Sequence, residues 1–298
     1  MVCAPFPGLQ LASTRSSPVI VVLLIMIAAA ARGLRAEDST DAGADEGQSK
    51  RLLGLYLAEA QSLNLYRDAE HQERLELKEQ PVYIWQNRIR SGGQFGAVFV
   101  WTNKGCPEAV GTIFSNPNPQ GEGRALLHEL HSLSQQVLFP VRDSANSWTP
   151  KAGVARRAIL DGPPPADTPR GRLVQLRALA RDFSAHSISP YDEGRWELRL
   201  LPQPLYRYES TDPAVIDGAV FGYVTSAGTD PEVLLVIEDR VVAEKPQWQY
   251  ALARFSDFSL FVEHKGRPVW QALRDDDNPW GFNKEHTYRL YTDRILDE

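Results

Sequence analysis

"GAVFVWTNKGCPE", residues 96–108, and "GAVFGYVTSAGTDPE", residues 218–232, begin on the same four residues and end on the same two. Other matches flank them in the same order. Upstream, Arg74-Leu75-Glu76-Leu77 stands opposite Arg195-Trp196-Glu197-Leu198, and Gln80-Pro81-Val82-Tyr83 stands opposite Gln203-Pro204-Leu205-Tyr206. Ordered matches with short gaps predict a tandem duplication of a unit of roughly 90–110 residues, two copies of one module rather than a solenoid. A helical apolar rhythm precedes each matched stretch. Leu52, Leu55, Tyr56, Glu59, Leu63 and Tyr66 predict a helix over 51–69; Leu173, Leu176, Leu179, Ala180 and Phe183 predict another over 172–183. Aromatic and β-branched runs broken by Gly, Pro and Asn follow each helix, as in antiparallel strands and turns. The expected fold is therefore α+β: two copies of a helix followed by an antiparallel β-meander, with the helices packed on the sheets. Copy one covers 51–160 and copy two covers 170–298 with a C-terminal tail; the Pro-rich linker "DGPPPADTP", 161–169, joins them.

The stretch "LLHELHSLSQ", Leu126–Gln135, tests this reading. Its leucines follow a helical rhythm, whereas the repeat places it opposite "ALARFSDFS", 251–259, which looks like a strand. The repeat decides for strand. His128 and His131 are then an odd number of residues apart and point to opposite faces, so they cannot share one ion. Their expected counterparts, Ala253 and Ser256, are not ligands. The spacing is not the HExxH that sets two histidines one helical turn apart, and His71, His186, His264 and His286 are scattered. No metal and no cofactor is expected.

Strand alternation also pairs aromatics. Tyr83 and Trp85 share a face, as do Tyr206 and Tyr208; Phe99 with Trp101 and Phe221 with Tyr223 make the neighbouring pairs. Four alternating aromatics per copy suit cross-strand packing. They form either the core face under the helix or a concave cup in which Trp85, Tyr206, Arg207 and Tyr208 hold a ligand.

Residues 1–36 have the layout of a secretory signal peptide: Arg15, the apolar run Val19–Ala31, then a small-residue exit, with cleavage expected between Ala36 and Glu37. Ala30 and Ala31 are alternative cleavage points, and Arg32 and Arg35 also suit an uncleaved anchor. The thirteen apolar residues fall short of the about 20 that span a bilayer. Residues 37–50 are an acidic, disordered lead-in. The expected location is secreted or periplasmic, with no transmembrane segment in the mature chain. Removing residues 1–36 takes away three arginines and no acid, so the net charge moves from −6 to −9. Such a chain has no electrostatic reason to bind nucleic acid. Cys106 is then the one cysteine left, so no intramolecular disulfide forms.

Three acids in "RDDDNPWG", 274–281, lack the spacing of an EF-hand and read as a solvated turn. Trp148, Trp270 and Trp280 suit core or interface as well as a sugar platform. No nucleophile elbow, P-loop or dinucleotide fingerprint occurs. "ELRLLPQPLYRYE", "GTDPEVLLVIE" and "HELHSLS" resemble an uncharacterised family of exported bacterial proteins; the resemblance implies export and brings no activity or functional residues. The expected role is non-catalytic binding of an unknown ligand or protein partner. The alternative is a hydrolase with a site between the copies near His128, Glu129 and His131.

Overall fold

The computed structural model describes residues 47–87, 93–141, 148–226, 228–279 and 285–297. The signal peptide, the Ala36–Glu37 cleavage point and Trp280 lie outside these residues, as does most of the acidic lead-in. The unit Leu52–Glu298 holds the strands and sites that follow; the helix that enters it begins at 47.

Seventeen strands are described. They account for 49% of the described residues, against 12% in two helices. The expected α+β class is corrected: the fold is β-rich and is built on large curled antiparallel sheets. Strand-forming residues fill runs of 9 to 12 residues in β4 (Gln94–Asn103), β5 (Cys106–Pro117), β6 (Arg124–Ser132), β12 (Val215–Thr225), β13 (Pro231–Val242), β14 (Lys245–Arg254) and β17 (Tyr288–Leu296). The helices are minor beside them. Helix α1 covers 47–62, ending before the expected 69, because the chain turns at Leu63 into strand β1 (Asn64–Tyr66). Helix α2 covers Pro169–Arg181, with Pro169 at its first turn and the Thr168 hydroxyl accepting from the Gly171 N–H. The Pro-rich stretch before it is pinned: Arg172 donates to the carbonyls of Ala166 and Asp167, and Gln175 donates to that of Pro164.

One sheet runs β17-β6-β5-β4-β2, with β3 (Tyr83–Asn87) paired beside β2 (Glu76–Leu77) on β4. The larger one runs β16-β15-β9-β10-β12-β13-β14-β8. In it β9 (Phe183–Ile188), β10 (Arg195–Leu200), β15 (Ser259–His264) and β16 (Arg267–Ala272) extend one side, and β11 (Tyr206–Tyr208) pairs β12 as β3 pairs β4. Strands β1 and β7 (Phe139–Val141) make a third, two-stranded sheet. The β4–β5 register slips between Trp101 and Thr102, and the β12–β13 register slips between Tyr223 and Val224. Two connections interlock the halves. The last strand, β17, returns to pair β6 of the first sheet, while the short β8 (Arg157–Ala158) pairs β14 of the other.

Period-2 alternation assigns the side chains to layers. Val98, Val100, Val110 and Phe114 face Val220, Val224, Leu234 and Val236 in one buried cluster, so the two sheets pack face to face. On the outer face of the first sheet, Ala97, Phe99 and Trp101 cluster with Tyr56, Ala60 and Leu63. On the outer face of the second, Ala219, Phe221 and Tyr223 cluster with Leu176, Leu179 and Ala180.

The aromatic expectation is corrected by the same alternation. Trp85 and Tyr208 lie in the inter-sheet core, with Tyr83 and Tyr206 packed against it; the aromatics of β4 and β12 point outward. Four aromatics per half do not make one face, so no cup forms. The stretch from 126 is a strand, as the repeat required. Its expected partners are three residues off. Leu133 donates to the Glu108 carbonyl as Phe255 does to that of Glu232, which sets His131 opposite Ala253 and His128 opposite Tyr250. The connection over 118–123 is longer than the two-residue turn at Ala243 and Glu244, both at positive φ, and counting along the chain missed the difference.

Gly96 and Gly218 occupy similar sites. Trp85 stands directly opposite Gly96, and Tyr208 opposite Gly218. A Cβ at Gly96 would sit 2.4 Å from the Trp85 ring, and one at Gly218 would sit 2.5 Å from the Tyr208 ring. Each ring lies on bare backbone, so Gly96→Ala and Gly218→Ala should each cost about 1–3 kcal/mol by overpacking. Urea denaturation measures this, and Trp85→Leu combined with Gly96→Ala should recover part of the loss. A cost below about 0.5 kcal/mol for both single variants would contradict the close contact.

Candidate functional site

A cleft of about 460 Å³ opens at one end of the inter-sheet core. The first sheet supplies Trp85, Thr112 and Glu129 to its walls; the connections just before β13 and just after β14 of the second supply Asp230, Phe255 and Asp257. Tyr191, Asp192 and Trp196, from the β9–β10 connection and the start of β10, close one side.

Glu129 is an odd-numbered residue of β6, so alternation points it inward between the sheets. It is 8% exposed. The Tyr288 hydroxyl, carried in by β17, donates to its Oε1 at 2.6 Å. Burial pushes the Glu129 pKa up to about 8; the Tyr288 bond opposes this, and the carboxylates of Asp257 and Asp230 add to it. At neutral pH Glu129 is therefore a protonated carboxylic acid. Around it the geometry is fixed. Arg254 lies 4.9 Å above the Tyr288 ring and donates to the carbonyls of Ser256 and Phe258, which holds the turn that carries Asp257. Arg274 donates to Asp257 Oδ2 at 2.6 Å. Asp192 is exposed, and the hydrogen bond from Ser189 lowers its pKa.

The other residues singled out in the sequence separate. His131 also points inward, 4% exposed, and its Nδ1–H donates to the Ser132 carbonyl at 2.8 Å. Burial lowers its pKa to about 4, which keeps it neutral. His128 points to the opposite face. It is fully buried, stacks on Tyr291 at 5.1 Å and lies 3.7 Å from Glu59. His128, Glu129 and His131 thus form no common constellation, because successive strand residues alternate.

Of the four residues expected in a ligand cup, Trp85 alone lines the cleft, with its indole N–H donating to Thr112. Tyr208 donates to buried Glu238, Tyr206 donates to the Gly105 carbonyl, and Arg207 pairs with Asp217 on the helix side. None of these three lines the cleft. Sequence reasoning missed Tyr288, Asp257, Asp230 and Trp196. The alternation of Tyr288, Leu290 and Thr292 marked the supposed tail as a strand, but nothing local tied it to Glu129. Cys106 is buried and its thiol pKa is raised by burial, as suits a structural residue.

Comparison with family models, with curated proteins and with solved structures gives no match.

The state of Glu129 sets a pH dependence. In the unfolded chain it titrates near 4.5, in the folded protein near 8. The folded protein holds a proton that the unfolded chain releases, so stability falls as pH rises from 4.5 through 8. His131 acts in the opposite sense below its ordinary 6.5 and is common to wild type and variant. Glu129→Gln cannot ionise. Its stability relative to wild type should therefore rise by about 2 kcal/mol or more between pH 5 and pH 9, read from urea midpoints. A difference that does not change with pH would rule out a protonated Glu129.

Proposed function

We propose that the protein is an exported, non-catalytic binder of a small cationic, amine-bearing ligand, held in the cleft between the sheets. One observation carries this reading. Among the described residues the cleft is lined by four carboxyl groups and no basic side chain: Glu129 is protonated, Asp257 is held by Arg274 from behind, and Asp192 and Asp230 complete the set. Aromatic faces at Trp85, Tyr191 and Trp196 lie among them. Carboxylates attract an ammonium group and aromatic faces accept it through cation–π contact. The carbonyl oxygen of neutral Glu129 can accept a hydrogen bond from the ammonium without adding charge. The opposite end of the inter-sheet core supports the choice of site: there the space is about 90 Å³, and Arg156 and Arg240 pair with buried Glu238. Export rests on the sequence of residues 1–36. No helix among the described residues is long and apolar enough to cross a membrane. The shared strand order and the matched slips after Trp101 and Tyr223 support reading the halves as duplicated.

Hydrolysis is the second reading, favoured by a protonated acid beside the Asp257 carboxylate. Such a pair suits a proton donor and a second carboxyl group acting with it. The histidines take no part in it.

A thermal-shift series on the full mature chain separates ligand classes. Spermidine and choline should stabilise it in a saturable way, by about 2.7 kcal/mol at a hundredfold excess over Kd; citrate and glucose should not. Asp257→Asn and Trp196→Ala should each weaken amine binding at least tenfold. Stabilisation by citrate or glucose, or amine binding unchanged by both substitutions, would overturn the reading.

A further inference from the structure

On the outer face of the first sheet, away from the cleft, three ligating side chains from distant parts of the chain converge. Glu59 comes from α1, His128 from β6 and Asp293 from β17. One ligand atom from each lies within 4.8 Å of the other two. His128 is fully buried, Glu59 is 8% exposed, and the Asp293 side chain is 14% exposed.

The backbone is adjusted to bring Asp293 there. Strand β17 pairs regularly with β6 as far as Thr292, opposite Leu127, and resumes at Arg294, opposite Leu126. Asp293 is thus the extra residue of a β-bulge, a device that re-aims a side chain. Two residues earlier, Tyr291 stacks on the His128 ring and fixes its plane.

Arg294 spans the two carboxylates, with Nη2 2.6 Å from Glu59 and Nη1 2.6 Å from Asp293. Its side chain is 43% exposed and has room to swing into solvent. An imidazole and two carboxylates make a borderline donor set, suited to zinc and its neighbours.

We propose that Glu59, His128 and Asp293 form a divalent-metal site of the zinc class, in which Arg294 is the cation that the metal displaces. Tetrahedral zinc with bonds of about 2.0–2.1 Å sets its ligand atoms about 3.3 Å apart. The Glu59–His128 separation is 3.7 Å, and all three ligand atoms lie within 4.8 Å of one another, so the carboxylates must rotate inward to bind. Three protein ligands leave the fourth position to water. The site stands apart from the cleft, since Glu129 faces the other way.

An ion-pair cluster without metal chemistry would look similar, and Arg294 distinguishes the two. The test titrates chelator-treated full-length mature chain with Zn²⁺ by calorimetry and with Co²⁺ by visible absorption. One equivalent should bind, with the d–d bands of a four-coordinate ion. Arg294→Ala should bind Zn²⁺ at least tenfold more tightly than wild type, because it removes the competing cation. Asp293→Asn, a nearly isosteric change at a partly exposed position, should lose at least tenfold, and His128→Ala should lose binding altogether. No stoichiometric binding by either wild type or Arg294→Ala would overturn the proposal. So would binding that Asp293→Asn leaves unchanged, or Arg294→Ala that binds more weakly than wild type.

Discussion

The inner faces of the two large sheets are apolar and bury against each other. Val98 and Val100 of one meet Val220 and Val224 of the other in a single cluster. Apolar area removed from water at about 25 cal/mol per Å² makes this contact, with the two outer apolar clusters, a large favourable term of the fold. The four residues Gly-Ala-Val-Phe, present twice, serve three contacts at once. Val98 and Val220 point to the inter-sheet core; Ala97 with Phe99, and Ala219 with Phe221, point to the outer clusters. Gly96 and Gly218 lie beneath Trp85 and Tyr208. A residue with a side chain at either glycine would push a large ring out of the core that joins the sheets.

The ends of that core depend on how buried charge is handled. At one end Glu238 is 1% exposed. Burial alone would raise its pKa, but Arg156 and Arg240 overcome that and lower it. Arg172, Arg207 and Asp217 make a similar buried group near α2. Such groups hold only as a set, since removing one partner leaves an uncompensated charge. Glu129 is buried to a similar degree, yet no basic side chain among the described residues lies within ion-pair distance. It keeps its proton instead. A neutral acid among the aspartate side chains is the chemical character of the cleft, and Glu129 has no arginine paired with it among the described residues.

The matched stretches located β3, β4 and β5 and their counterparts β11, β12 and β13. They also resolved the conflict over Leu126–Gln135, where apolar spacing alone favoured a helix. The matched stretches carried that information because strand pairing constrains a segment from outside itself. It did not give the correct counterparts of His128 and His131, since hairpin turns of different length shift the count. The α+β expectation weighed each helix as an equal of its sheet; the length of the strands and the contact between sheets make the β part dominant. The aromatic cup failed for a related reason. Adjacent strands can present their aromatics to opposite faces, and register is a property of pairing.

From the sequence alone came the alternation that sends Glu129 one way and His128 the other. The net negative charge came from it as well. These are properties of residues and their near neighbours along the chain, set by backbone geometry and composition. The tertiary structure decided which surfaces meet. It brought Tyr288 to Glu129 across 159 positions, and Asp293 and Glu59 to His128. Such encounters depend on the return of β17 to the first sheet, and local periodicity carries no record of which strand edge a distant segment will join.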